Sequence, residues 1–248
     1  MSVGKSLPRR RKYWLQALAA VYLLWTLPAG FAGSADTAED NWEKAALTDA
    51  GTGSVQVSSE EPKPMIALTF DDGPDADSTP RLLDGLKERG VQATFFVIGA
   101  NIEKDGNDAL IKRMYEEGHL IGNHTYHHVD LSGLSHEAAH RELEMTDERI
   151  REITGEEPYF IRPPFGAFPD DMEEDLDRLY VKWTVDPLDW TTKDTDTVVR
   201  RVIEDTGEND IILLHDCYDS SVDAALRIVD ILQEKGYEFV TADRIILE

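Results

Sequence analysis

From Pro64 to the C-terminus, short apolar runs alternate with amphipathic stretches, and this alternation narrows the fold to a parallel sheet joined by helical crossovers. The runs at 65–70, 93–98, 120–123, 159–162, 180–185, 211–215 and 238–241 read as buried strands. The segments between them carry helix signals. Thr79 is placed to cap a helix with Pro80 at its first position and Gly90 just past its end. Proline needs no amide partner at such a start, and glycine tolerates the left-handed exit. A helix over 107–117 puts Leu110, Ile111 and Met114 on one face and stops at Gly118. Ser135 opens a longer helix whose stripe runs Ala139, Leu143, Ile150 and Ile153 to Gly155. Further helical stretches are expected near 170–179, 196–206 and 221–235.

The polar clusters fall just beyond the strands. They are Asp71-Asp72-Gly73-Pro74, His124 to His128, Pro163-Pro164-Phe165-Gly166, Asp186 to Trp190, and His215-Asp216. In a parallel sheet, open or closed into a barrel, loops of this kind share the face where α/β proteins gather their chemistry. Five clusters therefore converge on one site.

The remaining sequence sets the surroundings. Residues 1–35 hold five bases and no acid, which leaves 20 bases against 49 acids in residues 36–248. Nucleic acid is excluded as a partner, since its binding depends on Lys and Arg neutralising phosphates. Within 1–35, a basic cluster from Arg9 to Lys12 precedes an apolar run at 13–27 and small residues at 29–35. That order reads as a signal peptide, and the run is also long enough for an N-terminal membrane anchor, which needs about 20 apolar residues. Either way the segment engages membrane or export machinery. The protein is then secreted, or anchored with its main domain outside the cell, in a bacterial envelope. Residues 36–63 read as a disordered acidic linker, and 64–248 as one catalytic domain. A single cysteine, Cys217, excludes a disulfide framework or a thiolate zinc site within one chain.

Residue chemistry points to a divalent-metal site with acid–base groups beside it. His124 and His128 are four apart, so a helical turn would project both imidazoles from one face. A carboxylate from Asp71 or Asp72 would complete a site of two His and one acid with positions open for water. Successive side chains of a strand point opposite ways, so one aspartate can ligate while the other stays free as a base, unless the turn at Gly73-Pro74 relaxes this. His127, between the two, is expected to point away. Arg162, followed by two rigid prolines, can hold a carboxylate in its fork of donors. The next free backbone donor is the Phe165 amide, available to an oxyanion. His215 ends an apolar strand, where a nearby carboxylate would keep it protonated as a general acid. Trp190 can serve as a flat wall for a sugar ring or an acetyl methyl.

Together, Thr69-Phe70-Asp71-Asp72-Gly73-Pro74, His124-Thr125-Tyr126-His127-His128, Arg162-Pro163-Pro164-Phe165-Gly166, Asp189-Trp190 and Leu213-Leu214-His215-Asp216 resemble the five ordered motifs of the polysaccharide deacetylase family. This is the NodB-homology domain of carbohydrate esterase family four. The resemblance covers about residues 65–245. It implies an α/β fold, a distorted (β/α) barrel with seven strands, and a divalent metal, zinc or else cobalt or another ion, held by Asp72, His124 and His128. It also implies Asp71 as general base steadied by Arg162, His215 as general acid tuned by Asp189, and Phe165 giving its backbone N–H to the oxyanion hole. Trp190 and Leu213 would line the acetyl pocket. The implied substrate is an N-acetylated polysaccharide, peptidoglycan first, with chitooligosaccharides or acetylxylan as alternatives. Two departures stand out. Phe165 sits where a tyrosine is usual, and Pro187 follows Asp186 where a small or branched residue is typical.

Three other classes fit less well. A non-catalytic sugar-binding module has no need of Asp71 or His215. An iron oxygenase shares the two-His-one-carboxylate set but has no use for the acid–base pair. A phosphohydrolase would want a basic or Gly-rich phosphate cradle, which this acidic chain lacks.

Overall fold

A computed structural model describes residues 62–167 and 177–247. The segment read as signal or anchor lies outside the described residues, as do the linker up to residue 61 and most of the helix expected at 170–179. Among the described residues, no helix is long and apolar enough to cross a membrane.

Seven parallel strands form one sheet. They are β1 (Met65–Asp71), β2 (Thr94–Val97), β3 (Leu120–Asn123), β4 (Phe160–Ile161), β5 (Leu179–Tyr180), β6 (Asp210–His215) and β7 (Glu238–Val240). Their order is β5-β4-β3-β2-β1-β6, with β7 paired to β1. The central strand β1 pairs with β6 from Ile66 to Asp71, with β2 from Thr69 to Asp71, and with β7 from Met65 to Ala67. After β5 the chain crosses back to β6, where Val185 bridges Ile212 in parallel. That bridge curls the sheet into a distorted (β/α) barrel, as the resemblance implied.

The crossovers are α1 (Thr79–Glu88), a one-turn α2 (Gly99–Ile102), α3 (Asn107–Glu116), α4 (His136–Thr154), α5 (Thr195–Asp205) and α6 (Asp219–Glu234), with α7 (Ala242–Leu247) after β7. Each long helix buries one stripe. Leu82, Leu83 and Leu86 of α1 pack with Val222, Ala225 and Val229 of α6 and with Phe70 and Leu214 of the sheet. Ser135 accepts the Ala138 amide at the start of α4, and Gly155 closes that helix at φ 80°.

Two local expectations need correction. The cap of α1 is Ser78, not Thr79. The Asp75 carboxylate accepts the Asp77 and Ser78 amides and so turns the chain first. The Thr79 hydroxyl is occupied by the Asp75 amide and the Asp216 carboxylate. The expected strand at 180–185 is broken after Tyr180. The carbonyls of Val181 and Lys182 turn to the Arg162 guanidinium, at 3.1 and 3.4 Å, instead of to a neighbouring strand.

Register positions the site. Asp71 lies opposite both Phe96 and His215, Val97 opposite Asn123, and Asn123 opposite Ile161. The residues that end these strands therefore form one ring at the C-terminal face.

Candidate active site

Asp71 ends β1 and Asp72 begins the following loop. Asp72 has φ 73°, which lifts the alternation of an extended chain. Both carboxylates then approach the same imidazole. His124 Nε2 is 3.7 Å from Asp71 Oδ2 and 3.4 Å from Asp72 Oδ1. Gly73 permits the turn, because a Cβ there would fall 2.4 Å from the buried Asp216 carboxylate.

His124 and His128 do not sit on a helical turn. Thr125 and His128 are left-handed, at φ 65° and 55°. The loop instead docks on α2, whose Gly99 and Ala100 amides donate to the Thr125 and Tyr126 carbonyls at 3.1 and 3.0 Å. A Cβ on Gly99 would meet the Tyr126 ring at 2.4 Å, so glycine is required for that approach. The imidazoles still converge, with ring centroids 5.1 Å apart. His127 points away, bonded at 2.8 Å to Glu142. Sequence reasoning missed Asn123, which fixes this loop from inside. Its side chain accepts the Thr125 amide and donates to the Leu143 carbonyl and to Asp147. An amide ending an apolar strand was the available signal.

The three residues read as ligands fit a divalent ion. Asp72 Oδ1 is 3.4 Å from His124 Nε2 and 3.2 Å from His128 Nε2, and one ligand atom from each residue lies within 4.8 Å of the others. Donors about 2.1 Å from a tetrahedral ion stand roughly 3.4 Å apart. Asp72 Oδ1 is buried without a hydrogen-bond partner, and His124 Nδ1 donates to the Arg162 carbonyl at 2.6 Å. That bond leaves the Nε2 lone pair facing Asp72, the orientation a metal-ligating imidazole receives from its outer partner. Burial alone would raise the Asp72 pKa. Any proton carried by the imidazoles of His124, His128 or His215 outweighs that burial and draws the Asp72 carboxyl well below the usual range.

Two pairs flank this cluster. Arg162 is 0% exposed, and its Nη1 reaches Asp71 Oδ1 at 2.7 Å and Thr69 Oγ1 at 2.8 Å. Burial draws the guanidinium's pKa down, and the Asp71 charge opposes that. Phe96, 4.2 Å from the guanidinium carbon, and Trp183, at 5.6 Å, pack against the group. Neither aromatic was singled out from sequence. On the other side, His215 Nδ1 is 2.8 Å from Asp189 Oδ1, and the His215 amide donates to Asp189 Oδ2 at 2.9 Å. Burial would lower the His215 pKa, but the bond to Asp189, its charge, and those of Asp71 and Asp72 prevail and raise it to about 9. Its Nε2 faces Asp72 Oδ2 at 3.9 Å.

Phe165, at φ 61° in a single 3-10 turn, sets its ring edge-on 5.1 Å from His128. Trp190 lies on the turn directly after Asp189. Leu213 is buried on the same face of β6 as His215, while Ile212 and Leu214 face the main core. Cys217 is half-buried, and burial pushes its thiol up to about 12, so it stays protonated. Among the described residues, six non-glycines are left-handed, and all but Asn209 lie in these loops. Each such residue costs about 1–3 kcal/mol, and such strain concentrates at functional sites.

Asp216 supports the site from behind. Its carboxyl is buried, accepts from Thr79 at 2.5 Å and leaves Oδ1 without a partner. Burial raises its pKa to about 7, above the value of about 3.9 in an unfolded chain. The folded state therefore holds this proton more tightly. The resulting stabilisation is full below about pH 4 and is lost as pH rises through 7. The Asp216 contribution should lower the melting temperature between about pH 4 and 7, and Asp216→Asn should fall less steeply over the same range. Identical slopes would show that Asp216 does not titrate there.

A cation seat between a carboxylate suited to accept a proton and an imidazole suited to give one is an arrangement that supports metal-assisted hydrolysis. The comparisons with known proteins agree with that class. The family model for polysaccharide deacetylase matches residues 58–183, and the chain belongs to that family. It is 39% identical over 186 residues to a peptidoglycan-N-acetylglucosamine deacetylase of Bacillus cereus, a match covering 72% of this chain and 67% of that protein. It is 38% identical over 181 residues to the peptidoglycan-N-acetylmuramic acid deacetylase PdaC of Bacillus subtilis, covering 73% of this chain but only 38% of PdaC. The solved structure of PdaC superposes with a TM-score of 0.72 at 37% identity, covering 74% of this chain and 90% of that one. A family 4 acetyl xylan esterase from Clostridium thermocellum, solved with a cobalt ion, gives 0.69 at 33% identity, covering 74% of this chain and 90% of that one.

Proposed function

We propose that this protein is a metal-dependent deacetylase that hydrolyses the N-acetyl groups of N-acetylglucosamine in an envelope polysaccharide, with peptidoglycan as its substrate. The observation that carries this reading is the orphaned Asp72 Oδ1 facing His124 and His128, with the Asp71–Arg162 and His215–Asp189 pairs on either side. The names of the relatives supply the substrate.

Asp72, His124 and His128 would hold the ion, zinc by the make-up of the donor set. When bound, it would polarise the acetamide carbonyl and acidify a water. Asp71 takes the proton of the attacking water, held in place by Arg162. The Phe165 amide donates to the oxygen on which negative charge develops. Trp190 and Leu213 enclose the acetyl methyl. His215, kept protonated by Asp189, gives its proton to the departing nitrogen, and acetate and a free amine result. We assign residues 1–35 as signal or anchor and 36–63 as linker, with residues 64–248 acting outside the membrane.

The test is acetate release by the purified protein from peptidoglycan, N-acetylglucosamine oligomers and acetylxylan. Peptidoglycan should be the best substrate, and release from acetylxylan alone would overturn the N-deacetylase reading. Removing metal with a chelator should abolish release, and stoichiometric zinc should restore it. Full activity after exhaustive chelation would defeat the metal assignment.

A further inference from the structure

We propose that Asn101 and Asn107 are positioning residues for the cation, holding the Asp72–Pro74 turn at a set distance from the His124–His128 loop. This inference rests on the reading of Asp72, His124 and His128 as ligands and extends it to two residues that lie in none of the five motifs.

Donors carried by two loops hold one ion well only when the loops keep a fixed spacing, and outer partners that orient the ligands set that spacing. Among the described residues, no main-chain hydrogen bond runs directly between residues 72–75 and residues 124–128. Both loops are bonded instead to the segment 98–107, which contains α2. On the imidazole side, the Gly99 and Ala100 amides hold the Thr125 and Tyr126 carbonyls. On the carboxylate side, three successive carbonyls are taken. Asn101 Nδ2 donates to the Asp72 carbonyl at 2.6 Å, and the Ile98 amide donates to that of Gly73 at 2.9 Å. Asn107 Nδ2 donates to the Pro74 carbonyl at 3.0 Å.

Asn107 locks this bracket. It also donates to the Asn101 carbonyl at 2.7 Å, so one side chain ties the Pro74 carbonyl to the residue that holds Asp72. Asn107 is 1% exposed, and its Oδ1 has no hydrogen-bond partner. A buried acceptor left without a partner is costly, so this amide is kept for its two donor hydrogens. Every acceptor of the two asparagines is a carbonyl, and a carboxylate at either position would meet it with like partial charge.

Asp72 is where such support is needed. Its φ of 73° is a conformation that a residue other than glycine keeps only when its surroundings fix it. A change in its dihedrals would move Oδ1 from its place 3.4 and 3.2 Å from the two imidazoles. The Asn101 bond falls on the carbonyl of that same residue. Asn101 is only half-buried, so its side chain can be shortened without opening the core.

The experiment measures calorimetric zinc binding by the metal-free, full-length protein as wild type, Asn101→Ala, Asn101→Asp and Asn107→Ala. Asn101→Ala should bind zinc about tenfold more weakly, the scale on which outer partners of metal ligands act. Asn101→Asp keeps the shape and loses the donor. It should also bind more weakly, although its added negative charge would by itself favour a cation. Asn107→Ala should weaken binding and, being buried, also lower the melting temperature; Asn101→Ala separates the two effects. The visible absorption bands of bound cobalt follow the arrangement of its ligands and should shift in Asn101→Ala. Wild-type zinc affinity in Asn101→Ala, or weaker binding with unchanged cobalt bands, would overturn the proposal. A wild-type protein that binds no zinc would defeat the ligand assignment and this inference with it. Zinc binding that depends on Asn101 in a protein releasing no acetate would keep the bracket and defeat the deacetylase reading instead.

Discussion

Replacing Asp71 with asparagine is expected to lower kcat for acetate release by about 10³-fold, the scale of a general base in a positioned site. The substitution keeps the side chain's shape and removes only its capacity to take a proton. Asp72, His124 and His128 are untouched, so bound zinc should remain stoichiometric when measured on the purified variant. The Arg162 guanidinium loses its anionic partner at 2.7 Å but still donates to Thr69 and to the carbonyls of Val181 and Lys182. The stranded guanidinium should lower the melting temperature, while its remaining acceptors keep the protein folded. Turnover within tenfold of wild type, with zinc retained, would remove Asp71 from the role of base and leave Asp72 to be tested in its place.

Arg162→Met should produce the largest loss of stability. The pair is buried on both sides, with Arg162 0% and Asp71 4% exposed. Removing one partner of a buried ion pair leaves an uncompensated charge and costs about 3–5 kcal/mol. For a domain of this size that corresponds to a fall in melting temperature of roughly 10 °C. Lysine should not rescue it, because a single ammonium cannot supply the fork that reaches Asp71, Thr69, Val181 and Lys182 together. Adding Asp71→Asn to Arg162→Met should recover part of the stability, since the stranded charge is then gone, and a double-mutant cycle measures that coupling. Additive losses in the cycle would show that the two side chains do not interact.

Much of this arrangement was legible before any coordinates. The alternation of strand and helix gave the class of sheet, and the polar clusters after five strands located the site, because those signals come from side-chain period and chain order. The details that escaped depend on backbone dihedrals and on contacts far apart in sequence. A spacing of four suggested a helical turn for His124 and His128, whereas Thr125 and His128 turn left-handed so that the loop can lie on Gly99. The adjacency of Asp71 and Asp72 argued against both reaching one point, and the positive φ at Asp72 removes that objection. Asn123, Phe96 and Trp183 were missed for a related reason. Each acts on a residue distant in sequence, and an apolar strand or a lone aromatic gives no sign of which charge it will cover.

One consequence follows from Arg162. Its carbonyl receives the Nδ1 proton of His124 at 2.6 Å while its side chain grips Asp71 at 2.7 Å. Main chain and side chain of a single amino acid thus brace an imidazole proposed to hold the ion and the carboxylate proposed to take the proton. Affinity for the ion and speed of the reaction should rise and fall together across variants of the Arg162-to-Gly166 turn, leaving natural variation little room to trade one against the other.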